Sequence, residues 1–124
     1  MSLIKLVVLF AGSIGEKRLL VSFDDVAKYS CIDLDMLSGL ANLQKMAQLK
    51  YAVTSFDKTG VEVGSVTLLD FYINNVRVSD EFLVVPNLNE EVVIGDLTIR
   101  KWRMNIDIQN NSVHVDASAM IMRI

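Results

Sequence analysis

The chain has 124 residues, 52% of them hydrophobic, and carries a formal net charge of −3. That length fits a single domain over residues 1–124 with a core of its own. The acidic balance, without clustered Lys or Arg, argues against nucleic acid as a partner, and no apolar run nears the roughly 20 residues of a membrane-spanning helix.

The first twenty residues, "MSLIKLVVLFAGSIGEKRLL", have the outline of a short signal peptide: Lys5, an apolar run from Leu6 to Phe10, then Ala11-Gly12-Ser13. The apolar run is at the short end for such a leader. The pattern of strand, turn and strand reads better as a β-hairpin of Leu3–Phe10 and Arg18–Phe23 about Gly12-Ser13-Ile14-Gly15. "FDDVAKYSCI" follows, two adjacent carboxylates directly after an apolar strand, with valine next where a turn ordinarily takes glycine. Ser30–Ile32 is a short strand, and Asp33 is placed to cap a helix carrying Leu34, Met36, Leu37 and Leu40, ended by Gly39.

Leu49–Phe56 and Val61–Phe71 are β-forming runs about Asp57-Lys58-Thr59-Gly60, which predicts a long hairpin. Asn74-Asn75 makes a second tight turn, between Leu68–Ile73 and Val76–Val85. After the loop Pro86-Asn87-Leu88-Asn89 come a buried strand, Glu91–Ile94, then Gly95 and a helix from Asp96 to Trp102. Met104–Ile108 and Ser112–Val115 form a third hairpin, and Ala119–Ile124 is an apolar tail broken by Arg123.

Isolated reactive residues are few. Cys31 rules out an intramolecular disulfide and reads as a buried apolar thiol in a reducing, cytoplasmic setting. A catalytic pairing of Cys31 with His114 has no support in their spacing. His114, between Val113 and Val115, is expected to face solvent rather than a metal. Trp102 is expected in the core, and Glu90-Glu91 and Arg100-Lys101 on solvated faces.

One order of elements occurs twice: hairpin, apolar strand, loop, short helix. The first copy is Leu3–Leu37, with its loop at Asp24-Asp25-Val26. The second is Leu68–Trp102, with its loop at Ile94-Gly95-Asp96. Such a repeat within a small β domain predicts internal two-fold symmetry.

With "VSFDDVAKYSCI" and "LLDFYINNVRVSDEFLVVPNLNEEVVIGDLTIRKWRMNID", this repeat resembles the retroviral-type (retropepsin-like) aspartic proteases, in particular their small bacterial branch. The resemblance runs from about Ile4 to Val115. It implies an all-β, retropepsin-like barrel with one or two short helices, and a homodimer with interleaved terminal strands, here Ala119–Ile124. It puts Asp24 on the catalytic aspartate and Asp25, Val26 and Ala27 on the Thr/Ser, Gly and Ala that follow it in the family. Phe56, Asp57, Lys58, Thr59 and Gly60 fall on the substrate-binding flap, and Val93, Ile94 and Gly95 on the structural segment of the cleft.

In that family two aspartates, one per subunit, share a proton and activate water. Asp25 replaces a hydroxyl that both donates and accepts with a group that, ionised, only accepts, and the dyad then holds four carboxyls. Val26 replaces glycine with a residue that resists positive φ. Lys28, two residues after Val26, can face this charge, but an exposed pair of that kind contributes only about 0–1 kcal/mol.

The expectation is therefore a homodimeric retropepsin-like homologue with lost or much reduced peptidase activity and a retained cleft for peptide or unfolded segments. The alternatives are an active endopeptidase working in acid through Asp24 of each subunit, and a carboxylate-lined divalent-cation site. The last has none of the spacing of a calcium loop. No cofactor and no resident metal are expected.

Overall fold

The computed structural model describes residues 4–55 and 58–116. Phe56, Asp57 and the tail Ala119–Ile124 lie outside the described residues. The strands are β1 (Ile4–Ala11), β2 (Glu16–Phe23), β3 (Cys31–Asp33), β4 (Gln44–Ala52), β5 (Val61–Ile73), β6 (Val76–Val85), β7 (Val92–Ile94), β8 (Met104–Asp107) and β9 (Ser112–Val115), with one helix, α1 (Asp96–Lys101). The chain is all-β, as its alternating apolar pattern predicts.

β1 and β2 pair without a break from Ile4 opposite Phe23 to Ala11 opposite Glu16. Their turn needs glycine because it lies against the backbone of residues 39 and 40: the amides of Ile14 and Gly15 both donate to the Leu40 carbonyl. A Cβ on Gly12 would stand 2.6 Å from that oxygen, and one on Gly15 would stand 2.7 Å from the Gly39 carbonyl. The expected helix after Asp33 is a single 3-10 turn, Leu34–Leu37. Gly39, at φ +74, ends it. Asp33 does not cap it, because its carboxylate accepts the Leu88 amide at 3.2 Å.

The strand order β1-β2-β7-β3-β6-β5 closes on itself where Phe10 and Ala11 pair with Phe71 and Asp70, which makes a six-stranded barrel. β2 and β7 run parallel, as do β3 and β6, while β3 and β7 are antiparallel. Exchanging β1, β2 and β3 with β5, β6 and β7 leaves this set of pairings unchanged. The two-fold repeat read from the sequence is thus present in the topology. β4 lies outside the ring and pairs only with β5, so the β4–β5 hairpin projects from the barrel.

Two apolar clusters fill the molecule. The larger is centred on Phe10, Phe71 and Phe82, whose ring centroids are 5.3–5.8 Å apart, with Val21, Phe23, Ile32, Val92 and Ile94 around them. Each such side chain, fully buried, contributes about 1.5–3 kcal/mol. Trp102 joins this core, and its indole N–H donates to the Ser79 carbonyl. The smaller cluster lies on the other face of the sheet. Ala52 and Val63 of the projecting hairpin pack there against Ala27, Cys31, Leu83, Val85 and Val93.

Two charged residues expected on a solvated face do structural work. Glu90 pairs with Lys5 at 2.9 Å with its side chain only 9% exposed, and the Glu91 carboxylate accepts the Leu20 amide at 2.7 Å. Both tie the loop before β7 to the β1–β2 hairpin.

Candidate active site

The last residues of β2 alternate strictly. Val21 and Phe23 enter the main core, so Ser22 and Asp24 point to the face that carries the smaller cluster. The Asp24 amide continues the parallel pairing by donating to the Ile94 carbonyl at 2.9 Å. The chain then leaves the sheet, and the loop of residues 24–30 is fastened to the start of α1. The amides of Asp96 and Leu97 donate to the carbonyls of Ala27 and Lys28, at 2.7 and 3.1 Å. Beneath them the Ser30 hydroxyl accepts the Gly95 amide at 3.0 Å and meets the Thr98 hydroxyl at 2.6 Å. The two loops approach so closely at Gly95 that a Cβ there would stand 2.5 Å from the Tyr29 carbonyl oxygen.

Asp24 is fully buried. Its Oδ1 accepts the Val26 amide at 3.0 Å and the Ser55 hydroxyl at 2.7 Å, and its Oδ2 accepts the Ser55 amide at 2.8 Å. Val26 keeps the amide contact with the aspartate and needs no positive φ for it. It is absent from the described non-glycine residues with positive φ, its N–H reaches the aspartate, and its side chain is 41% exposed. Valine is tolerated because the loop turns without entering the left-handed region. Asp25 is exposed and Ala27 is buried in the small cluster. Lys28 does not offset the acidic pair through an ion pair among the described residues. Its ammonium lies 5.3 Å from the centre of the Tyr29 ring, which Lys50 also approaches, at 4.7 Å.

Cys31, next to this carboxylate, is 1% exposed. Burial, and secondly the charge of Asp24, push its thiol up to about 12. It is an inert thiol rather than a nucleophile. His114 is exposed, on the separate β8–β9 ribbon.

Val93 packs in the small cluster, Ile94 in the main core, and Gly95 forms the close crossing, so the expected structural segment is brought against the Asp24 loop. The connection between β4 and β5 carries Lys58 and Thr59, both exposed, and Gly60, with the Thr59 carbonyl accepting the Tyr51 hydroxyl. Two grooves flank this hairpin, each of about 240 Å³. One runs between Ala52, Thr54 and Val61 and the loop at Pro86 and Leu88; the other lies among Tyr29, Met46, Lys50, Leu83 and Leu97. Neither includes Asp24 in its walls. Among the described residues no three His, Cys, Asp or Glu side chains are grouped to hold a metal ion.

Sequence reasoning missed Ser55, Ser22 and Thr98. Ser55 lies beyond the end of β4 in an irregular connection, where no periodicity marks which residue turns inward.

These features define a retropepsin-like fold: a closed β barrel with internal two-fold symmetry, an aspartate after β2, and a hairpin lying over it. In agreement, the crystal structure of the retroviral protease-like domain of Ddi1 from Leishmania major superposes with a TM-score of 0.62 over 94% of this chain and 86% of that one, at 13% sequence identity. No family model and no curated protein matches the sequence. No helix among the described residues is long and apolar enough to cross a membrane.

Proposed function

We propose that the protein is a homodimeric retropepsin-like aspartic-protease homologue of the small bacterial branch. Its peptidase activity is lost or much reduced, and its cleft under the β4–β5 flap serves to bind peptide or unfolded segments. The observation that carries this reading is the placement of Asp24 at the end of β2, beneath the flap and beside Asp25. Across a dimer dyad, the two exposed Asp25 side chains would add like charge where paired hydroxyls normally lock the loops, and close like charges oppose the spacing that general acid–base catalysis requires. The lone buried thiol suits a reducing, cytoplasmic compartment.

The second reading, an endopeptidase active in acid, is favoured by one contact: the Val26 N–H still serves Asp24. Incubating the protein with an unfolded substrate from acid to neutral pH, beside Asp24→Asn, separates the two. The expected result is binding of unfolded chains with no Asp24-dependent cleavage. Cleavage abolished by Asp24→Asn and blocked by a statine-type inhibitor would establish the enzyme instead.

A further inference from the structure

We infer that the flap is a self-inhibitory latch. The amide and hydroxyl of Ser55 occupy the Asp24 oxygens that a water or substrate group would use, so the cleft accepts a peptide only when the β4–β5 hairpin lifts. This rests on the cleft being the peptide site proposed above.

A carboxylate offers about four acceptor positions. Three are filled here, two of them by Ser55, and the carboxylate has no exposed surface. The strand leading to Ser55 closes the rest of the cleft. Ala52 and Thr54 are 5% and 2% exposed, and Val63 on the partner strand is 2% exposed, against the floor residues Val85 and Val93. The two grooves beside the hairpin are about 240 Å³ each, below the roughly 300–1,000 Å³ typical of a ligand site, and neither has Asp24 in its walls. An extended peptide therefore cannot reach the Asp24 carboxylate while Ser55 is on it.

The hairpin is also built to move. β4 is an edge strand whose outer face leaves Leu49 and Tyr51 64% and 56% exposed, and its pairing with β5 shifts register between Lys45 and Lys50. Such bulges bend a strand. An element with few buried side chains belongs to the low-stability part of a fold. The bonds to Asp24 are charge-assisted and so hold the tip more firmly than its apolar contacts alone.

Hydrogen exchange on the full chain, comparing wild type with Ser55→Ala, Ser55→Thr and Asp24→Asn, tests the latch. Losing one hydrogen bond to a charged group is expected to speed opening by roughly 10- to 100-fold. Ser55→Ala should therefore exchange that much faster across residues 50–60, with β2 and β6 unchanged. Ser55→Thr, which keeps both donors, should behave as wild type. Asp24→Asn should also loosen the flap, since only its amide oxygen can accept and a Val26 or Ser55 donor is then left facing its NH2 group. Equal flap exchange in wild type and Ser55→Ala, or a flap already unprotected in wild type, overturns the inference.

A fluorescent statine-containing peptide supplies a second readout. Ser55→Ala should bind it more tightly by the same factor, because a larger fraction of molecules is open. Binding to neither form counts against the peptide cleft and leaves the exchange result to decide the latch. Equal binding to both forms counts against the latch and leaves the cleft standing.

Discussion

Ser30 and Thr98 join hydroxyl to hydroxyl at 2.6 Å, both buried, and so connect the loop after β2 to helix α1 in the other half of the repeat. Ser30 also accepts the Gly95 amide, so its oxygen serves two elements at once. Ser30→Ala strands both the amide and the Thr98 hydroxyl, at about 1–3 kcal/mol for each buried group left unpaired. Thr98→Val keeps the shape and the Gly95 bond, so it should cost less. Urea unfolding of both single variants and the double variant checks this, with the double variant little worse than Ser30→Ala alone.

Gly95 is required by crowding rather than by backbone conformation, since its φ of −92 is open to any residue. A Cβ there would press on the carbonyl oxygens of Tyr29 and Ala27, at 2.5 and 3.0 Å, and both belong to backbone that cannot rotate away. Gly95→Ala is therefore expected to destabilise the fold by about 1–3 kcal/mol, as overpacking does. The denaturation midpoint should fall, and the Asp24 loop should exchange faster than β5.

The contrast between these residues and Ser55 explains what was legible in the sequence. Runs rich in β-branched and apolar residues between turn signals, such as Arg18–Phe23 and Val76–Val85, declare strands. The repeat of hairpin, strand, loop and short helix declared the topology, because pairings invariant under a two-fold exchange follow from a duplicated order. Asp24 and Gly95 were visible as end points of that order. Ser55 was not, because its role comes from a tertiary approach across 31 positions, through a connection with no regular pattern. Asp33 was misread as a helix cap for a related reason: a distant amide, that of Leu88, competes for its carboxylate. Whether the Val26 amide would still reach Asp24 was not legible, because a residue type does not fix the backbone path of an irregular loop.

Cys31 should resist modification in the native protein. With the thiol raised from 9.0 to about 12, the thiolate fraction near neutrality is roughly a thousandfold below that of an ordinary cysteine. Iodoacetamide labelling should proceed only through opening or unfolding. The linkage has a definite sign. A folded value above the unfolded one gives stability that is complete below pH 9 and declines as the pH rises from there toward 12. Cys31→Ala should lack this share of the alkaline decline. Asp24→Asn should bring the thiol back toward its ordinary value, since the aspartate's charge is the second cause of the shift.

Asp70 sets a counterpart on the acid side. Burial alone would raise its carboxyl, but hydrogen bonds from Ser79 and Arg77, with the charge of Arg77, hold it below the ordinary 3.8. Stability from this cluster is present above that value and is lost as the pH falls through the lower folded one. Asp70→Asn should lower stability at neutral pH, flatten the profile through that acid window, and differ least from wild type below it. The site is partly exposed, so added salt should shrink the difference.

Under the proposed reading of a weakened aspartic-protease homologue, the two departures beside Asp24 should contribute unequally to the loss of activity. Val26 already directs its N–H at the carboxylate and puts its side chain toward solvent in the single chain. Val26→Gly alone should then restore little, although in a dimer it removes two methyl-bearing groups from the crowded dyad. In the proposed dimer Asp25 would carry the electrostatic fault, two added charges that a hydroxyl would replace with donors able to lock the loops. Asp25→Thr should raise peptidase activity on an unfolded substrate more than Val26→Gly does, with the double variant highest and Ser55→Ala adding to it by freeing the flap. Each gain should vanish with Asp24→Asn. Activity restored by Val26→Gly but not by Asp25→Thr would place the fault in packing at the dyad rather than in its charge.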